Sequence, residues 1–392
     1  MPAASARYVA RGLVPPQQEP VPKTCPAPGI EVLEPFLLGP GETQAASRSE
    51  AAAGGTAQRA EHPCCEAVII EVRRLRRLPA VVLNVRANLP ASSWRVTHLH
   101  GPLNAGALEV DRLFSYLAQG TVRALPIPVD ALPPDVHNRA WANLWVTGSD
   151  QFWTLFDRPY LMLFESDTVL CPQPSVPIEW WIGRHAYVGA PWEPRSHAGY
   201  HWCRKLACCV GNSGLSLWNR ELVLQLMRKN LMGLGLHHFI DHWATTNLQA
   251  RPAQAYLGPG ELAVPSTDVA AAFSWELAEM RNSARIWETA AAANESLTWR
   301  RTQSWVPVGV HGVKGGGEWA RGGCSALSTG AAGRLARARC ERLLRACPPV
   351  LEISANSSLD GEVGDDSAEV AGSWRVAADL LTRRERRVEV DG

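Results

Sequence analysis

From Ala67 to about Gly312 two kinds of apolar pattern alternate along the chain. AVIIEV and LPAVVLNVRANL are dense in Val, Ile and Leu, SSWRVTHLHG follows them, and the three alternate with helix-like pieces such as VDRLFSYLAQG. Further on, Ala140, Trp141, Leu144 and Trp145 recur at helical spacing, PYLMLF reads as a buried strand, and VGNSGLSLW as a short strand entered through glycines. RELVLQLMRKNLMG puts Leu222, Val223, Leu226 and Met227 on one helical face. TDVAAAFSWELAEM predicts a further helix that Thr267 or Asp268 can cap. Strands alternating with helices in this way predict a βαβ sheet and an α/β fold.

The flanks carry no such periodicity. Residues 1–62 are rich in Pro, Ala, Gly, Gln and Ser, a composition that buries too little apolar surface to order itself. After Gly315-Gly316-Gly317 the chain turns to Gly, Ala, Arg and Ser, with one amphipathic piece, LARARCERLLRAC. The expected organisation is therefore a disordered leader over 1–62, one domain over 63–318, and a low-complexity, disordered tail over 319–392.

Charge and cysteine content narrow the function classes. The 392 residues carry 39 Lys and Arg against 38 acids, and a net charge of +1 provides no field for steering onto nucleic acid. The RRLRR run at 73–77 and the TRRERR run lack interleaved aromatics, and they read as solvated faces. No run of 18 apolar residues and no signal-peptide pattern is present, so no membrane span is expected in this chain. That leaves the compartment open: cytoplasm, or the Golgi lumen if an anchor lies outside this sequence. Ten cysteines over this length are no dense disulfide framework, and adjacent pairs such as Cys64-Cys65 suit a tetrahedral zinc site poorly.

The first candidate chemistry lies where PYLMLF runs into Glu165-Ser166-Asp167. Residues two apart on a strand share a face, so two carboxylates would stand together at the carboxyl end of a strand, where open α/β sheets bind ligands. A hard divalent ion, Mg²⁺ or Mn²⁺, would relieve their repulsion and could carry a diphosphate. The residues alone leave a second reading, in which one acid caps the turn and the other is solvated.

The ordered set SWRVTHLHGPLN, FWTLFDRPYLMLFESDTVLCP, AYVGAPW, VGNSGLSLWNRE, FIDHWATTNL, VPSTDVAAAFSWE and VPVGVHG resembles a domain-of-unknown-function family. Members of that family look like nucleotide-sugar-dependent glycosyltransferases of the GT-A type. The resemblance implies a Rossmann-like GT-A-type sheet with helices on both faces, which binds a sugar nucleotide, UDP- or GDP-linked. It also implies Mn²⁺ or Mg²⁺ on the diphosphate and a glycan, protein or lipid acceptor. By the same resemblance Glu165 and Asp167 are metal ligands, with His311 of GVHG as a third. Glu71, in AVIIEV, lies where the first strand meets the base or ribose, although an acid answering Arg73 or Arg74 fits its sequence equally.

Gly211, Asn212 and Gly214 match VGNGGLSLR of the family and suit a backbone pressed against a ligand. Asp241 matches the aspartate of a Glu-Asp pair, and its implied role is to take or orient the acceptor proton. Trp153 and Trp192 are candidates for stacking on a sugar face. The chain departs from the family at Ser213, Trp218 and Ile240, where relatives have glycine, arginine and glutamate. These departures motivate an alternative: a glycan- or nucleotide-sugar-binding protein of the same fold without turnover. A serine hydrolase is set aside because Leu215 stands where the G-x-S-x-G elbow needs glycine.

Overall fold

A computed structural model describes residues 64–128, 145–147, 150–192, 210–232, 240–257, 264–276, 306–312, 331–347 and 350. The leader and the helical spacing at 140–144 lie outside the described residues. Among the described residues six strands form the main sheet in the order β3-β2-β1-β4-β7-β6, and three more form a small one in the order β5-β9-β8. The molecule is α/β, as the alternation predicts.

The chain enters the sheet through β1 (Cys65–Glu71), fully apolar on both faces except for Glu66 and Glu71. Helix α1 (Leu78–Ala87) follows. Its sequence reads as another dense apolar segment, yet Leu78, Val81, Val82 and Val85 recur at the i, i+3, i+4, i+7 spacing of one buried helical face, with a proline in its first turn. Then come β2 (Trp94–His100), α2 (Asp111–Ala118) and β3 (Val122–Pro126). β1 pairs with β2, and β2 with β3, all parallel.

After the short α3 (Gln151–Thr154), β4 (Tyr160–Phe164) is laid on the opposite side of β1, again parallel. The winding direction of the sheet thus reverses between β1 and β4, and the loops leaving these two strands part there. Such a reversal opens a crevice at the carboxyl edge, the usual ligand position in open α/β sheets.

β5 (Val169–Leu170), β6 (Tyr187–Pro191) and the long β7 (Val210–Asn219) complete this half. β7 runs antiparallel to both β4 and β6, so its glycine-bearing first half arrives at the same edge as the carboxyl end of β4. Helices α4 (Arg220–Arg228), α5 (Ile240–Leu248), α6 (Arg251–Leu257) and α7 (Thr267–Phe273) follow. Helix α7 ends where SWELAEM is expected to continue it. Ser274–Glu276 instead form β8, which pairs with β9 (Gly309–His311). β9 in turn pairs with β5.

The core is unusually aromatic. Trp153, Trp218 and Trp243 lie with ring centroids 5.2–6.4 Å apart, and Tyr187 packs on Trp218 at 4.4 Å. Trp153 is fully buried in this cluster and takes no place at a sugar face. Among the described residues no helix is long and apolar enough to cross a membrane.

Beyond 318 the chain forms helix α8 (Ala331–Ala346). Cys340, Leu343, Cys347 and Val350 are buried, and Cys347 is disulfide-bonded to Cys171 beside β5. Within 319–392, where a disordered tail is expected, the described residues thus include a helix whose Cys340 and Leu343 join the core, as do Cys347 and Val350 after it.

Candidate functional site

β4 stops at Phe164, and the acid triplet is not extended strand. Glu165 to Thr168 form a tight turn closed by Thr168 N–H donating to Glu165 O at 3.0 Å. Strand alternation is therefore not what brings the carboxylates together; the fold of this turn is. Two bonds hold it to β7: Glu165 N–H donates to Gly214 O at 2.9 Å, and Thr168 Oγ1 donates to the same oxygen at 2.7 Å.

His311 reaches the turn from β9, 146 residues further along the chain. Its Nε2 lies 3.2 Å from Asp167 Oδ1 and 3.4 Å from Glu165 Oε2. One ligand atom from each residue lies within 4.8 Å of the others. Asp167 is fully buried, His311 is 8% exposed, and Glu165 opens the cluster to solvent.

Two carboxylates and one imidazole are a donor set for Mn²⁺ or Mg²⁺. The two separations from His311 Nε2, 3.2 and 3.4 Å, lie within the about 4.2 Å that two ligands bound to one ion at about 2.1 Å can span. A buried Asp167 is costly without opposite charge nearby, which a divalent ion provides.

Gly214 makes the approach of His311 possible. The imidazole occupies the space that a Cβ on Gly214 would fill. Gly211 has a similar reason: a Cβ there would overlap the Trp192 indole and crowd the Thr245 methyl. Both glycines are thus pressed by side chains of this chain. Asn212 lies between them and accepts the Gly214 N–H through Oδ1 at 2.9 Å, which shapes the turn-like start of β7.

Asp241 belongs to a neighbouring group. It sits in the first turn of α5, where its Oδ1 accepts from His242 N–H at 2.8 Å and its carbonyl accepts from Thr245 Oγ1 at 2.9 Å. Tyr187 donates to Gly211 O at 2.6 Å. Burial raises the Tyr187 pKa well above its ordinary value, and the negative charge of Asp241 adds to the effect. Trp192, buried over Gly211, completes this group.

Glu71 ends β1, the strand beside β4, but its carboxylate is gripped by its neighbour. Arg73 Nη2 and Nε donate to it at 2.7 and 2.8 Å, and Arg73 N–H adds a bond at 3.0 Å. The pairing with Arg73, one of the two sequence readings, is what the structure contains.

Sequence reasoning passed over two residues here. Thr168 clamps the acid turn to β7, and Arg77 places Nη2 3.4 Å from Ser166 Oγ, the residue between the two acids. The RRLRR run held the second signal. Only the packing of α1 against the turn separates Arg77, which is buried, from the exposed Arg74 and Arg76.

A family model described as a protein of unknown function (DUF5672) matches residues 133–285. That stretch takes in Glu165, Asp167, Gly211, Asn212, Gly214 and Asp241. It is shorter at both ends than the span over which the motifs run, and leaves out Glu71 and His311. No curated protein matches the sequence.

Among solved structures, the galactosyltransferase LgtC in complex with donor and acceptor sugar analogs is 12% identical over 78% of this chain and 99% of that one, with a TM-score of 0.41. The apo form of the glycosyltransferase GlyE of Streptococcus pneumoniae TIGR4 is 11% identical over 75% of this chain, with a TM-score of 0.39. The match spans 64% of GlyE's own length. The mannosyltransferase PcManGT of Pyrobaculum calidifontis, in complex with GDP-Man and Mn²⁺, is 11% identical over 90% and 95% of the two chains, with a TM-score of 0.35.

Proposed function

We propose that this chain is a divalent-metal-dependent glycosyltransferase that moves a sugar from a UDP- or GDP-linked donor to a hydroxyl of a glycan, protein or lipid acceptor. The observation that carries this reading is the convergence of Glu165 and Asp167, in the turn after β4, with His311 of β9 at the carboxyl edge where the sheet reverses. Mn²⁺ or Mg²⁺ held there would neutralise charge on the donor diphosphate as it leaves. Within the protein, Gly214 and Thr168 hold the acid turn against β7. Gly211 and Asn212 shape the floor between that turn and α5, and Glu71, steadied by Arg73, borders the donor side.

Asp241 takes the acceptor proton in this proposal. A positioned base contributes about 10²–10⁴-fold, so Asp241→Asn should slow transfer by that order and spare metal-dependent donor binding. Asp167→Asn should remove most of the metal dependence of binding and slow transfer with it. The first experiment is a thermal-shift panel of nucleotide sugars with Mn²⁺ and with EDTA, followed by donor hydrolysis. Equal melting points in Mn²⁺ and EDTA with every donor would sink the proposal.

One observation favours the second reading, a binding protein without turnover. Trp218 replaces an arginine of the resembling family and is fully buried among Trp153, Trp243 and Tyr187, so this position supplies no cation to an anion. Donor binding with no hydrolysis or transfer to any acceptor would select it.

A further inference from the structure

We infer that Cys64 and Cys65 form a thiol-disulfide exchange site, at which a small disulfide of the glutathione class oxidises the pair to a vicinal disulfide. Successive residues of a strand face opposite ways, which keeps adjacent thiols apart. Cys64, however, precedes β1, which begins at Cys65, and its sulfur lies 2.8 Å from Cys65 Sγ. A disulfide bond of about 2.05 Å is less than an ångström away. The sheet holds one partner firmly. Cys65 N–H donates to Ser93 O at 3.1 Å, and Cys65 pairs with Trp94 of β2 on one side and Tyr160 of β4 on the other. Cys64 Sγ makes a longer contact, 3.8 Å, with Ser93 O.

Burial divides the roles. Cys65 is fully buried and Cys64 half-buried, so an incoming disulfide meets Cys64 first. The Cys64 thiolate attacks one sulfur of the disulfide, a mixed disulfide forms, and one glutathione leaves. Cys65 Sγ then attacks Cys64 Sγ, the new bond closes the ring, and the second glutathione leaves. Each departing glutathione takes up the proton that one cysteine gives up, so the pair is oxidised by two electrons and the disulfide is reduced to two thiols. Burial pushes the Cys65 thiol far above its ordinary range, which suits a group that acts second and on a neighbouring sulfur.

Cys171 and Cys347 are already bonded, whereas Cys64 and Cys65 are the free cysteines among the described residues. A metal is the other use of paired thiols, but among the described residues the one group of three candidate ligands is Glu165, Asp167 and His311. The thiols stand at the amino end of β1, and those acids follow the carboxyl end of the parallel β4. The exchange site is therefore independent of the transferase reading.

Trypsin cuts after Arg59 and Arg73, and peptide 60–73 contains these two cysteines and no other. The folded full chain is incubated with excess oxidised glutathione, remaining thiols are blocked with iodoacetamide, and the peptide is weighed after digestion. The expected product is two hydrogens lighter than the dithiol and carries neither blocking group nor glutathione. In glutathione redox buffers, the folded chain should reach half-oxidation with at least about tenfold less oxidant than a synthetic peptide 60–73, because the fold has already fixed the freedom of about one residue. Cys65→Ala should stop at the mixed disulfide on Cys64. If Cys65→Ala does not fold, Cys64→Ala decides: Cys65 should stay unmodified in the folded chain and react once urea unfolds it.

Both thiols blocked in the folded parent, glutathione retained on its Cys64, or peptide 60–73 cross-linked to another cysteine each overturns the inference. So does half-oxidation at the same buffer ratio as the synthetic peptide, since the fold then contributes nothing to closure.

Discussion

A single methyl group on Gly214 would overlap the His311 ring, and that steric fact separates this glycine from one required by a turn. Gly214 is in β7, so a Cβ would be acceptable to its backbone and objectionable only to the imidazole. Gly214→Ala should therefore leave the sheet folded and push His311 away from Glu165 and Asp167. Residues that orient metal ligands typically change affinity by 10–100-fold, so a loss of about tenfold or more in Mn²⁺ affinity is expected, with a nearly unchanged melting point of the metal-free protein. Titration of both proteins with Mn²⁺ checks it, and equal affinities would remove His311 from the metal. The glycines, the acids and the late histidine were all visible in the sequence as motifs. That one of them exists to make room for another was not, because 97 residues separate Gly214 from His311 along the chain.

At the level of elements, the ends of β1 and β2 are tied together by buried polar groups. His98 Nε2 lies 3.1 Å from Glu71 O, and Asn104 Nδ2 donates to Glu71 O at 2.6 Å and to Arg73 O at 3.2 Å. Gly101 N–H donates to Asn104 Oδ1 at 3.0 Å. The HLHGPLN loop thus closes over the exit of β1 and fixes where the arginine loop starts. Burial pushes the His98 pKa down from 6.5 to about 4, against the smaller upward pull of its bond to Glu71 O.

The folded state therefore binds this proton later than the unfolded chain does. The His98 contribution is fully present above pH 6.5 and is lost as pH falls towards about 4, by up to about 3 kcal/mol. Urea unfolding from pH 7 to 4 should show that slope in the parent and a shallower one in His98→Gln. Identical slopes would place His98 in contact with water. The same β1–β2 pair shows how far pattern reading reaches: the strands were evident from their apolar density, whereas α1 between them was equally apolar and only its 3.6-residue spacing distinguished it.

For the molecule as a whole, the small β5-β9-β8 sheet joins distant parts of the chain around the cluster of Glu165, Asp167 and His311. Asp167 lies two residues before β5, His311 ends β9, and Cys171, after β5, donates its N–H to Val308 O at 2.9 Å while its sulfur is bonded to Cys347. The end of helix α8 is thereby fastened to the strand pair that presents two of the three candidate ligands. We expect the folding unit to extend past 318 to about residue 350. A chain ending at 318 should melt lower and bind Mn²⁺ more weakly than one ending at 350, and Cys347→Ser should cost about 2–4 kcal/mol in the longer chain. Calorimetry of the three proteins under non-reducing conditions is the check. Matching melting points would restore the boundary near 318.

The sequence by itself determined the α/β class, most strand and helix identities, and the residue types at the candidate site. Each of these follows from local spacing: period 2 or 3.6 for the elements, and short motifs for Glu165, Asp167, Gly211, Asn212, Gly214, Asp241 and His311. It also carried the amphipathic stripe of α8, but composition outweighed it. Tertiary structure alone decided which of these residues meet. It curled the acid triplet into a turn and set His311 on Gly214. It also gathered Asp241 with Tyr187, tied Glu71 to Arg73, and drew Arg77 out of a run of similar arginines into the crevice. The physical reason is that a pattern along the chain reports each residue's preference for water or for its immediate neighbours. The cluster of Glu165, Asp167 and His311 is instead built from side chains far apart in sequence, whose approach is fixed by strand order, by the reversal between β1 and β4, and by packing in which one missing Cβ admits an imidazole.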